Sequence, residues 1–125
     1  MKRLQEVAVT YRQFDVEDRA ELAAAGLEPQ PLEGDEIGGV ISWEGSGKQV
    51  ELSYDIPGRS VRIKIFNDNR QLELDIFREG AVRLRSQWEG EKLCLQIIFE
   101  VDDLAGKIEV GLTPLIYMRD SMLFV

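Results

Sequence analysis

From residue 39 onward the chain alternates apolar and polar positions in short runs separated by turn residues. The runs fall at 39–44, 48–56, 60–66, 70–77, 81–88, 92–101 and 107–113. Alternation with period two marks a strand with one buried face. That face carries Val50, Leu52, Tyr54 and Ile56, then Val61, Ile63 and Ile65, then Leu72, Leu74 and Ile76. It continues through Val82, Leu84, Trp88, Leu93, Leu95, Ile97, Phe99 and Val101 to Ile108, Val110 and Leu112. Short gaps between successive runs predict an antiparallel meander.

The other face alternates in charge from strand to strand: Glu51 and Asp55, Arg62 and Lys64, Glu73 and Asp75, Arg83 and Arg85. A two-residue turn at Asp68-Asn69 sets Lys64 opposite Glu73 and Arg62 opposite Asp75. A three-residue turn at Arg78-Glu79-Gly80 then sets Asp75 opposite Arg83 and Glu73 opposite Arg85. Both registers match apolar faces and also pair every charge with its opposite, which is how cross-strand pairs fix register.

The ends of the chain read differently. Leu4 to Phe14, with Val7, Val9 and Tyr11 alternating, predicts a first strand. Asp15 is placed to cap a helix over about 16–26 that Gly26 and Pro29 end, with Val16, Ala20, Ala23, Ala24 and Leu27 on its packing face. Residues 28–39 hold two prolines and three glycines and predict a loop. The last stretch, 115–125, has eight apolar residues in eleven and no alternation. It predicts a strand that closes against Leu4–Phe14 within one chain, with leftover apolar surface that makes a homodimer through this C-terminal strand the expectation, or else an apolar edge that pairs with a second copy.

The fold class that follows is mainly β (α+β) in a single domain, residues 1–125. An antiparallel meander of about eight to nine strands closes into a barrel or strongly rolled sheet, with one N-terminal helix after the first strand. Tyr54, Leu74, Leu84, Trp88, Leu95 and Phe99 are the expected core, or the lining of a lumen.

Composition narrows the chemistry. The chain has 125 residues, no histidine and one cysteine, Cys94. Histidine-based triads and dyads, histidine-ligated zinc or haem, and internal disulfides therefore have no residues to build them. No signal peptide and no apolar run of membrane-spanning length stands out, so a cytoplasmic protein without membrane contact is the expectation. No cofactor is expected.

Charge is unevenly placed. Residues 15–44 hold nine carboxylates against Arg19 alone, which equals the net charge of −8 of the whole chain. A docking surface for a cationic protein, such as the basic rim of a nuclease or toxin, is the functional reading, with Glu17, Glu21, Glu33, Asp35 and Glu36 as its candidate residues. A solvated helix face and loop is the plain alternative. Arg62, Lys64, Arg83 and Arg85 are interleaved with Glu73 and Asp75, which argues against nucleic acid. Neither Glu33, Asp35 and Glu36 nor Glu100, Asp102, Asp103 and Glu109 follows the spacing of a calcium loop. Gly45-Ser46-Gly47-Lys48 lacks the first glycine and the following hydroxyl of a phosphate loop and reads as a hairpin turn.

A strand, a helical insertion and a meander of strands resembles the element order of fatty-acid-binding proteins and other calycins, at the level of pattern over most of the chain. The resemblance implies a carrier of an apolar ligand, yet the expected interior offers Tyr54, Ser86 and Trp88 and no arginine to hold a carboxylate. A non-enzymatic binding protein is thus the favoured reading and an apolar-ligand carrier the alternative. An enzyme working through carboxylates alone comes third.

Overall fold

The computed structural model describes residues 13–32 and 37–124. Its strands are β1 (Asp15–Val16), β2 (Gly38–Gly45), β3 (Lys48–Asp55), β4 (Ser60–Phe66), β5 (Leu72–Glu79), β6 (Ala81–Glu89), β7 (Lys92–Val101), β8 (Leu104–Thr113) and β9 (Tyr117–Phe124). One short helix, α1 (Arg19–Ala24), lies between β1 and β2. The protein is mainly β, and the meander is real, but it is cut in two. One sheet has the order β2-β3-β4-β5, the other β1-β6-β7-β8-β9, and among the described residues they do not close into a barrel. The inward side chains of both sheets meet in one cluster that includes Ile41, Leu52, Tyr54 and Ile63 from the first, and Leu84, Leu95, Phe99 and Val110 from the second.

The cut falls at Gly80, where the sequence predicts a hairpin. Gly80 has φ of +91°, and its N–H and that of Ala81 both donate to the Arg59 carbonyl in the β3–β4 turn. Its own carbonyl accepts from Glu100 N–H on β7. The chain therefore steps from one sheet to the other, and β5 and β6 are not neighbours. The expected pairs Asp75–Arg83 and Glu73–Arg85 do not exist: Arg83 stands opposite Asp15 and Ile98, and Glu73 binds Lys48 at 2.5 Å.

The β4–β5 register is also two residues from the expected one, with Lys64 opposite Asp75 and Ile63 opposite Ile76. Asn67 explains the shift, because its side-chain oxygen accepts from the Asn69 and Gln71 N–H groups and widens the turn, with Arg70 at φ of +62°. A shift of two keeps every side chain on its own face. Arg62 still reaches Asp75 diagonally through two hydrogen bonds, of 2.9 and 2.8 Å.

Two bulges adjust the expected core. The register slips between Ala81 and Arg83, which turns Ala81 inward and leaves Val82 half-buried. A slip at Phe66 leaves Leu72 exposed. Tyr54, Leu84, Leu95 and Phe99 are buried and Leu74 is half-buried against them. Trp88 is not interior; it is 53% exposed.

The helix is shorter than expected and starts later. Asp15 and Val16 pair in parallel with Arg83 and Leu84, so Asp15 is a strand residue and not a cap. Asp18 holds the cap position. Leu22 is the buried residue of α1, whereas Ala20, Ala23 and Ala24 are exposed, so the alanine stripe is not the packing face. Burying a leucine stabilises by roughly 1.5–3 kcal/mol, far more than a methyl group can, and the helix turns to suit it. Gly26, at φ of +84°, ends the helix as expected, and the Leu27 N–H returns to the Leu22 carbonyl at 2.8 Å.

At the C-terminus β9 pairs with β8 and ends its sheet among the described residues. The expected partner strand Leu4–Phe14 lies outside the described residues except for Gln13 and Phe14, which are in no strand, and Phe14 is buried edge-on against Tyr54. The sheets are clipped across their open side by Arg78. It leaves β5, passes over the Phe99 ring at 5.3 Å and binds Asp120 of β9 through two hydrogen bonds, of 2.8 and 2.6 Å.

Two outcomes check this architecture. Alanine at Gly80 meets both a positive φ and a Val101 methyl at 2.1 Å, whereas alanine at Gly47 meets a positive φ and open space. Chemical denaturation of Gly47→Ala should show a loss of about 1–2 kcal/mol, and Gly80→Ala a clearly larger one. The Arg78 hydrogen bond holds the Asp120 carboxyl below its usual range. Its stabilisation is present above the ordinary carboxylate value near 4 and is lost as pH falls through the lowered one. Asp120→Asn should cost about 1 kcal/mol at pH 7 and flatten that part of the acid-denaturation profile.

Candidate functional site

The acidic stretch divides in two once its partners are visible. Asp15 is neutralised by Arg85 at 2.7 Å, and Arg85 also donates to the Asp15 carbonyl. Arg19, the one basic residue of the stretch, donates to the Pro29 carbonyl at 2.8 Å and so ties the end of α1 to the loop behind it. Glu17, Glu21 and Glu44 have no cationic partner within ion-pair distance among the described residues. Glu33, Asp35 and Glu36 lie outside the described residues.

Glu17 is the fixed member of this group. Its backbone N–H donates to the Leu84 carbonyl at 2.9 Å and continues the β1–β6 pairing by one residue. Its carboxylate accepts the Ser86 N–H at 2.5 Å and the Ser86 hydroxyl at 2.8 Å. Two donors from the neighbouring strand hold it, and no cation among the described residues pairs with it. Glu21 lies in the first turn of α1 and is exposed.

Alternation carries Leu84, Ser86 and Trp88 along the inward face of β6. At Trp88 the opposing wall is α1, so the indole meets solvent beside the helix. Glu17, Glu21, Ala24, Ala25, Ser86 and Trp88 line a depression of about 350 Å³ there. The structure thus brings together two acidic candidates and one residue expected in the core. Two signals in the sequence pointed there separately, the acidic helix and the tryptophan at the end of its strand. What joined them, the parallel β1–β6 contact, has only two residues and no hairpin to announce it.

A second depression, of about 420 Å³, lies between the β2–β3 and β4–β5 turns. Ser46 and Gly47, at φ of +53° and +75°, form the expected hairpin turn there. Lys48 at its base is engaged by Glu73, and Glu44 and Asp68 share the lining with Arg70, so it does not present a phosphate cradle. Cys94 sits on the outer face of β7, where burial and Glu109 push its thiol up, away from the reactive thiolate. Among the described residues no three metal-ligating side chains converge, and no helix is long and apolar enough to cross a membrane.

The fixed position of Glu17 has a measurable consequence. Glu17→Ala should lower stability by about 1–2 kcal/mol in chemical denaturation, because the Ser86 donors lose their acceptor. Glu21→Ala should change it by less than about 0.5 kcal/mol. Equal effects would show that Glu17 is no better held than its exposed neighbour.

No family model matches the chain, and no curated protein matches it in sequence. A solved structure shares the fold: a chain of a contact-dependent growth inhibition toxin–immunity protein complex from Klebsiella pneumoniae 342 superposes with a TM-score of 0.74. The two are 17% identical, and the match covers 88% of this chain and 97% of that one.

Proposed function

We propose that this protein is a non-enzymatic interaction module that docks a cationic protein through its acidic stretch, residues 15–44. Docking covers the partner's basic surface and holds that partner inactive. The observation that carries this reading is the placing of two carboxylates, Glu17 and Glu21, without a cationic partner among the described residues, around an exposed tryptophan. Elsewhere Lys48, Arg62, Arg78 and Arg85 are each engaged by a carboxylate. An acidic, partly aromatic surface complements a basic rim and speeds encounter with it. The fold likeness supports the same reading, because the similar chain belongs to a toxin–immunity protein complex. A basic toxin or nuclease domain is the partner class that suits both observations. The inward faces of the two sheets pack against each other in one cluster, which favours this reading over a carrier of apolar ligands.

The test is association with a panel of basic toxin and nuclease domains, followed by stopped-flow mixing and by inhibition of their activity. One of them should bind with an on-rate that falls steeply with salt. Glu21→Lys with Glu44→Lys should slow association about tenfold while changing dissociation little. Neutralising Glu33, Asp35 and Glu36 together should act in the same direction and leave the fold intact. Binding that ignores salt and survives the charge reversals would remove the acidic surface from consideration.

A further inference from the structure

We propose that the notch beside Trp88 receives a single arginine side chain from the partner protein. The inference rests on the reading above and names the group by which a cationic partner is held.

Three features of the notch converge on that group. The first is the indole, which stands at the end of β6 with about half of its surface exposed and lines the notch. The second is the carboxylate of Glu17, which accepts hydrogen bonds from the Ser86 N–H and hydroxyl and lacks a cation among the described residues. The third is the pair Ala24 and Ala25, whose methyl groups leave the gap open and give it an apolar side. An aromatic wall, an apolar side and a fixed anion match a long side chain with an apolar stem and a charged head. Glu21 stands at the rim and adds charge without constraining shape.

Arginine suits the site better than lysine. A planar guanidinium stacks flat on an indole while its edge donates to a carboxylate, and both contacts form at once. An ammonium is a compact, strongly hydrated charge that satisfies one contact at the expense of the other. An apolar side chain leaves Glu17 and Glu21 unpaired as water is displaced, which disfavours it. A second copy of this chain, with its net charge of −8, is repelled from the same end.

The test reads the indole N–H of Trp88 by NMR, with Trp43 as internal reference, at low ionic strength. The probes are the acetylated amides of arginine, lysine and norleucine. Arginine amide should shift the Trp88 signal saturably, lysine amide about two- to fivefold more weakly, and norleucine amide not at all. Trp88→Phe should retain binding, read on the α1 amides, and Trp88→Leu should weaken it about two- to fivefold. Glu17→Gln keeps an acceptor for Ser86 and should weaken arginine binding without loss of stability. Norleucine amide acting as well as arginine amide, or a Trp88 signal that moves with protein concentration alone, overturns the proposal. A basic protein that binds Trp88→Leu as well as the parent, with unchanged salt dependence, overturns the notch and leaves the wider reading standing. Arginine amide that fills the notch while no basic protein binds does the reverse.

Discussion

A backbone that must pass from one sheet to another needs a residue able to take an unusual turn without a side chain in the way. Gly80 provides it, at φ of +91° and with a neighbouring methyl where its own Cβ would stand. Its hydrogen bonds to Arg59 and Glu100 tie it to both sheets at once. Every later feature follows from this crossing. Because β6 leaves β5, its free edge is open to β1, and the parallel contact of Asp15 and Val16 with Arg83 and Leu84 becomes possible. That contact places α1 against one end of the five-stranded sheet, and the helix forms a wall beside Trp88 in place of a third layer.

The same crossing decides where charge is cancelled and where it is left. Arg62, Lys48 and Arg78, carried on the strands of the smaller sheet, all find carboxylates: Asp75, Glu73 and Asp120. Exposed pairs of this kind contribute about 1 kcal/mol or less each, so their consequence for stability is modest. Their consequence for the field around the molecule is larger. Cations bound in local pairs contribute little at a distance. Arg78 serves both purposes. Its stem and head bridge the sheets over Phe99, and its charge is spent on Asp120.

Surface tyrosine plays a related structural part on the outer face. Tyr117 lies over Gly111, where a Cβ would meet its ring, and its hydroxyl donates to Glu109. The ring covers a backbone that no side chain protects, and Arg119 stacks over it at 5.6 Å. Such covering of a strand glycine by an aromatic partner fixes the pairing of β8 with β9, the edge of the sheet among the described residues.

Alternation alone located the strands from β2 to β8 and most of their inward residues, with Leu72, Val82, Trp88 and Val101 as exceptions. β3, β4 and β7 match the alternation to within a residue, because a half-buried strand has a strict period of two and any slip of one exposes its apolar set. The sequence also located the acidic stretch, since charge is read directly from composition. Partner choice was decided only in three dimensions. Alternation names a face but not the neighbouring strand, so one rolled sheet and two packed sheets have the same pattern. Complementary charges did not settle the neighbour either: Asp75 with Arg83 looked sound and proved wrong, and Asp75 binds Arg62. Trp88 shows the same limit from the other side. Its position in the strand aims it inward, and only the placing of α1 beside the end of β6 determines that inward, at that end, means a notch beside two carboxylates.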